Sequence, residues 1–372
     1  MAIPVSPAKT AASRSAYLVL GMHRSGTSAV TQLLALAGAK LPSHVMPGDE
    51  HNAQGYFEPW RIAIFNDERL RAADSAWDDP LTNPASFLAD DSDWRDRAIK
   101  LFRSEYGRAK HPLLKDPRVS VLLPLWRYVL ESQDMTARCV IPVRHPLAVA
   151  GSLAKRDGFP IQKSILLWMT YMIETELGTR DLPRAFVEYD ALLADWRPVV
   201  ASMETALGAT LPNLTLKAQA AIDAFLTPEL RHNAGGETLS TYGDIGAAAE
   251  GVYDWLIAMA RGEAPSPALM EAGHDLIKRL RHEVGALISP VTRSNNQALS
   301  ALGDARAALT FAQSQADELR SNIDGLQSHL HQAHATNAQL NDQVESLSQQ
   351  LLQKIDERRE IEGTLDALLA AR

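Results

Sequence analysis

Hydrophobic residues in this chain fall into short unbroken runs in its earlier part and into a seven-residue repeat at its end. Four runs, near residues 17–21, 112–115, 138–143 and 185–188, are too short for helices and are bounded by turn residues, so they predict buried strands. Apolar residues recur at helical spacing over Thr27 to Leu36, from Pro146 onward and over Ile161 to Thr179. Strands alternating with helices predict an α/β fold, a parallel sheet flanked by helices. Pro142 removes a ladder donor late in the third strand, which predicts an edge or a bulge there. Further on, the Gly/Ala-rich stretch 234–250 reads as a loop, followed by helices at about 251–262 and 267–287.

After Pro290 the chain has no further proline, Trp or Tyr, and heptads run from Leu302. The a positions are Leu302, Leu309, Ala316, Ile323, Leu330, Asn337, Val344, Leu351, Arg358 and Leu365. The d positions are Ala305, Ala312, Leu319, Leu326, Ala333, Leu340, Leu347, Lys354, Ile361 and Leu368. The repeat is strongest from 319 to 351 and is interrupted at Lys354 and Arg358. It predicts a C-terminal coiled-coil helix on the order of 100 Å long. A single Asn at an a position favours a parallel two-stranded homodimer, whereas largely uncharged e and g positions do not dictate the partner. A lone solvated helix, or one folded back on the rest of the chain, are the alternatives. The organisation expected is a disordered tail over 1–15, an α/β domain over 16–290 and a stalk over 291–372.

Composition narrows the function. All seven Trp precede residue 256, so the core belongs to the first three quarters of the 372 residues. A net charge of −8 with no basic stripe excludes nucleic acid as partner. The single cysteine, Cys139, allows no disulfide framework and points to a reducing compartment. Met1 to Ser15 lack the apolar core of a signal peptide, and no apolar run reaches the about 18 residues of a membrane span. A cytoplasmic protein is expected, and no metal-ligand cluster is visible.

Residues 21–28, Gly-Met-His-Arg-Ser-Gly-Thr-Ser, join the first strand to the first helix. Loop and helix N–H groups converge there and the helix dipole favours an anion. The spacing Gly21-x4-Gly26 is that of a P-loop, but Thr27 stands where the lysine belongs and the cation is Arg24. That counts against a nucleotide or sugar kinase, which needs its lysine on the β/γ-phosphates. A second phosphate receptor is encoded at Arg144, Ser152 and Arg156. Arg144 follows a strand, at the sheet edge where open α/β folds bind ligands, and Pro146 suits a first helical position. Ser152 and Arg156 then share one helix face, and an arginine fork with a hydroxyl suits a terminal phosphate.

The Arg24-Ser25-Gly26-Thr27-Ser28 loop resembles the 5′-phosphosulfate loop of P-loop sulfotransferases that use 3′-phosphoadenosine 5′-phosphosulfate (PAPS). Residues 138–156 resemble the same family's 3′-phosphate segment, through Arg144, Ser152 and Arg156. The resemblance covers roughly 15–235 and implies sulfuryl transfer to a hydroxyl of a carbohydrate or glycolipid. It implies a donor site made of His23 to Ser28, Arg144, Ser152 and Arg156. Gly55-Tyr56-Phe57-Glu58 is similar to an element of the bacterial carbohydrate-type members. By analogy with the tyrosylprotein branch Glu58 is the base, with Glu50 or His51 as substitutes and a surface or capping carboxylate as the plain alternative. Lys115 matches the cytosolic branch's strand-end lysine, while Pro117 occupies that branch's histidine position. Asp116 is then a candidate base or a helix cap, and Arg118 a clamp for an anionic acceptor or a partner of Asp116. Tyr189 resembles a residue near the nucleotide, and Arg231 lies where the family closes a loop over it. The remaining alternative is an inactive sulfotransferase-like scaffold whose coiled coil recruits glycosyltransferases.

Overall fold

The computed structural model describes residues 14–48, 55–83, 92–227 and 238–370. Asp49, Glu50, His51 and Arg231 lie outside the described residues, as does the tail before Arg14. Four parallel strands, β1 (Arg14–Val19), β2 (Leu113–Lys115), β3 (Met135–Val143) and β4 (Arg184–Glu188), form a sheet of order β2-β1-β3-β4. β1 starts at Arg14, inside the stretch expected to be disordered, because Arg14 and Ser15 pair with Met135 and Thr136.

Helices α1 (Thr27–Leu36), α2 (Trp60–Ala72) and α3 (Ser92–Tyr106) link β1 to β2, and α4 (Leu123–Glu131) links β2 to β3. Helices α5 (Pro146–Asp157) and α6 (Ile161–Gly178) lead to β4. They are followed by α7 (Tyr189–Ala194), α8 (Trp196–Leu207), α9 (Leu216–Phe225), α10 (Gly243–Ala260) and α11 (Pro267–Ala370). Alternate residues of β1 enter two cores. Leu18 and Leu20 pack with α2 to α6 and α10, whereas Tyr17 and Val19 pack with α1, α8 and α9. Period-two burial on both faces is what a fully covered parallel strand requires.

Pro142 is neither at a sheet edge nor in a bulge: β3 is an interior strand, and its register to β4 runs unbroken through Val143. The Cys139 N–H donates to the β4 side, to the Pro183 carbonyl, so the even positions of β3 face β1. Pairing with β1 ends at Val140, where Leu20 N–H donates to the Val140 carbonyl. The donor that Pro142 lacks therefore faces the turn at Gly21 and has no strand to serve.

The chain leaves β1 toward β2 on one side and returns to β1's other side with β3. The carboxyl ends of β1 and β3 thus flank the crevice where such sheets bind ligands.

Two expectations shift. α10 begins at Gly243, within the stretch read as a loop. A Cβ on Gly246 would lie 1.8 Å from the Leu239 carbonyl oxygen, so this glycine admits a close backbone approach rather than breaking the helix. α11 also continues through Pro290. Its turns on either side of the proline are tied to the 73–83 segment: Ser289 hydrogen-bonds Asp79, Arg293 donates to the Asp74 carbonyl and Asn296 donates to Asp78. These contacts offset the lost N–H, and the first compact unit accordingly runs through Asn296. The second unit, from Gln297, is helical throughout its described residues, with its seam side chains exposed in the single chain. Among the described residues no helix is long and apolar enough to cross a membrane.

Candidate functional site

β1 ends at Val19 and the chain enters the loop at Gly21, whose N–H donates to the Ser120 hydroxyl at 2.8 Å. The backbone is left-handed at Gly21 (φ 122°), Arg24 (φ 68°) and Gly26 (φ 93°). Gly26 caps α1, and the first turn of α1 carries no acidic residue, so its positive end is uncompensated. Thr27, in the position of the P-loop lysine, is buried. Ser25 Oγ and His23 Nε2 are buried with no hydrogen-bond partner in the structure. Orphaned polar atoms beside a cationic loop suit an oxyanion ligand, and a phosphosulfate fits this donor set.

A non-glycine residue in the left-handed region costs of order 1–3 kcal/mol and persists only where its surroundings hold it. The segment carrying Arg144 and Ser152 supplies that hold at Arg24. Its Nε donates to Ser152 Oγ at 2.7 Å, and Arg144 Nη1 donates to its carbonyl at 2.9 Å. Burial, then the charges of Arg156 and Arg144 among others, lowers the pKa of Arg24. Burial likewise lowers that of Arg144. Cations gathered this closely favour an anionic ligand beside them. Ser152 accepts from Arg24 and so retains its own proton to donate.

Tyr189, the first residue of α7, closes the loop. A Cβ on Gly26 would lie 2.3 Å from the Tyr189 ring, and the Arg144 guanidinium stands 4.9 Å from that ring's centre. Gly26→Ala is expected to cost about 1–3 kcal/mol from overpacking alone, with backbone strain added, and to weaken binding of an anionic ligand at the loop. A denaturant midpoint alongside a binding titration checks both.

Arg156 is placed differently from Arg144. It pairs with Asp157 at 2.8 Å and lies over Trp77 at 5.4 Å, while the His23 ring meets Trp77 edge-on at 4.8 Å. Burial first, then the charges of Arg156, Arg118, Lys115 and Arg24, holds the His23 imidazole well below its ordinary pKa. The unfolded chain takes up a proton near about pH 6.5 that the native imidazole refuses. The native state is therefore favoured above that pH and loses stability as pH falls through it, by up to about 1.4 kcal/mol per pH unit for one group. His23→Gln is expected to flatten part of this fall, read as urea midpoints from about pH 7 to about pH 5.

The other flank of the loop is built by β2. Lys115, at its last position, donates to Glu58 at 2.5 Å and to the Tyr56 carbonyl at 3.0 Å. Ser28 Oγ lies 3.5 Å from that same carbonyl, so the phosphate loop and the Lys115–Glu58 pair meet at Tyr56. Left-handed backbone at Gly55 (φ 99°) and Phe57 (φ 56°) shapes the turn, and Met46 N–H donates to the Glu58 carbonyl. Glu58 is buried and makes no helix cap: Pro59 occupies the cap position of α2.

Asp116 has a different setting. It accepts from the Arg118 N–H and guanidinium at 3.1 and 2.9 Å and from Asn66 at 2.7 Å, while Asn66 accepts from Trp126. Fully buried and satisfied, it caps the 3-10 turn Pro117–Ser120. Arg118 pairs with Asp67 as well, at 2.6 Å. Burial opposes the Arg118 charge, but Asp116, Asp67 and Glu58 outweigh it and raise its pKa. This geometry gives Asp116 the capping role and Arg118 the structural pairing, the second reading of each residue.

Trp77, which lies under Arg156 and meets the His23 ring edge-on, sits in a segment without periodicity and gives no local signal in the sequence. The role of the Tyr56 carbonyl has no sequence signature either, because every residue carries that group. Among the described residues no group of three or more His, Cys, Asp or Glu is placed to hold a metal.

No family model and no curated protein matches the chain. Solved structures resemble it at low similarity, three of them as follows. A sulfotransferase domain of the Synechococcus olefin synthase aligns at 17% identity, covering 72% of this chain and 94% of that one, with a TM-score of 0.36. A sulfotransferase from Mycobacterium tuberculosis aligns at 15% identity over 68% and 77%, TM-score 0.38. A sulfotransferase domain from the curacin biosynthetic pathway aligns at 14% over 55% and 76%, TM-score 0.33. These are proteins to which the chain is similar, and likeness at this level does not assign an activity.

Proposed function

We propose that the protein transfers a sulfuryl group from PAPS to a hydroxyl of a carbohydrate or glycolipid. The observation that carries this reading is that one strained residue, Arg24, is held by Ser152 and Arg144. Two anion receptors are thereby joined into one surface. Residues 23–28 would take the 5′-phosphosulfate, and Arg144 with Ser152 the 3′-phosphate, with Arg156 over Trp77. A kinase is disfavoured because a buried threonine replaces the phosphate lysine.

In the proposed reaction the acceptor oxygen attacks sulfur and its proton passes to Glu58. The bond from sulfur to the 5′-phosphate oxygen breaks, and the charge left on that oxygen is offset by Lys115 and Arg24. Support for Lys115 serving both ends is that it touches Glu58 and shares the Tyr56 carbonyl with Ser28. The carbohydrate class rests on the Gly55-Tyr56-Phe57-Glu58 element. Trp60, exposed at the start of α2, offers an aromatic face nearby in sequence. The test is transfer of radiolabel from PAPS to a panel of sugar hydroxyls and cell-surface glycolipids. Label is expected in a carbohydrate product. Label confined to peptide tyrosines or small phenols would overturn the acceptor class.

A further inference from the structure

We propose that residues 297–370 pair with the same segment of a second copy of this chain as a parallel, in-register, two-stranded coiled coil. The inference is independent of the catalytic reading. From Leu319 to Leu351 every a and d position is apolar except Asn337, and the large apolar ones are 53% to 67% exposed in the single chain. Helices draw most of their stability from packing an apolar face, and an uncovered stripe of this length marks an interaction surface. The stripe keeps a period of 3.5 residues, which only a supercoiled partner helix follows over such a distance.

Three observations favour a second copy as the partner. First, Asn337 occupies an a position, where its amide meets its own counterpart at the same level when an identical strand lies parallel and in register. Second, Ile323 and Val344 at a positions alternate with leucine at d, the arrangement that favours two strands. Third, the flanking e and g positions carry no single-sign charge that would repel a second copy. Between Gln313 and Gln350 their one charged residue is Arg320, whose g-position neighbour in a parallel pair is Gln315. The exception lies further on, where Glu357 at g would face Glu362 of the partner subunit at e. Each glutamate is already neutralised within its own helix, Glu357 by Lys354 at 2.7 Å and Glu362 by Arg358 at 2.9 Å. The two cations that interrupt the seam are thus the ones that remove its like-charge conflict. The stretch from Leu319 to Leu351 alone offers about 50 Å of seam, which buries an area of the order of the roughly 1,600 Å² found in stable interfaces.

The test uses the full chain. Sedimentation equilibrium is expected to return twice the chain mass at micromolar concentration. Leu326→Asp combined with Leu330→Asp is expected to return the monomer while leaving nucleotide affinity unchanged. Leu340→Cys, at a d position, is expected to form an intermolecular disulfide on mild oxidation. Cys139 is buried in the first unit and does not compete. A monomeric wild-type chain would overturn the proposal, as would a trimeric mass. A dimer whose Leu340→Cys variant does not cross-link would overturn the parallel register.

Discussion

Glu58→Gln is expected to lower kcat for sulfuryl transfer by about 10²- to 10⁴-fold, the range for removing a general base, with little change in affinity for 3′-phosphoadenosine 5′-phosphate. Glu58 accepts from Lys115, whereas Arg24 is held by Ser152 and Arg144, so the proposed nucleotide contacts are expected to survive its loss. Glutamine keeps the shape and an oxygen for Lys115 but cannot take a proton. Alanine is the less informative variant, because it strands a buried ammonium, and breaking a buried pair in that way costs about 3–5 kcal/mol. A thermal midpoint for both variants separates lost chemistry from lost fold. A folded Glu58→Gln protein with normal turnover would remove Glu58 from the base role.

Arg144→Ala is expected to weaken 3′-phosphoadenosine 5′-phosphate binding by roughly 2–4 kcal/mol, about 30- to 1,000-fold. The size follows from two losses at one residue. The guanidinium is a phosphate ligand in the proposed site, and it also anchors the left-handed Arg24 backbone through the Arg24 carbonyl. Arg144→Lys keeps the charge but loses the planar fork and its stacking on Tyr189, so it is expected to recover part of the affinity. Titration of adenosine 5′-phosphate, which lacks the 3′-phosphate, should respond far less to either substitution. An equal loss for both nucleotides would reassign Arg144 from ligand to loop support.

The parts of this fold set by local chemistry were legible in the sequence. Helix α1 spans Thr27–Leu36 as expected, because Gly26 in a left-handed cap and an apolar stripe fix both its start and its face. The phosphate loop was legible because its glycines are required by backbone angles at Gly21 and Gly26. Glycine misled at Gly246, where the requirement is a close carbonyl from a neighbouring turn and has no local signature. Pro142 and Pro290 misled for a related reason. One lacks a donor where no strand is left to receive it, and the other lies between turns held by distant side chains. Within the site, Arg144 and Ser152 could be named as candidate phosphate ligands, but not as the residues that hold Arg24. That contact joins positions 120 and 128 residues apart in the chain. The competing readings of Asp116 were separable only once Asn66 and Arg118 were seen to occupy its carboxylate.

The most direct measurement is calorimetric titration of the full chain with 3′-phosphoadenosine 5′-phosphate and, in parallel, with ATP–magnesium. Tight binding of the 3′-phosphorylated nucleotide with weak or no binding of ATP is the predicted result, since Arg144 and Ser152 are proposed to take a terminal 3′-phosphate. Preference for ATP–magnesium, or binding of neither, would contradict the sulfuryl-transfer site proposed for this protein.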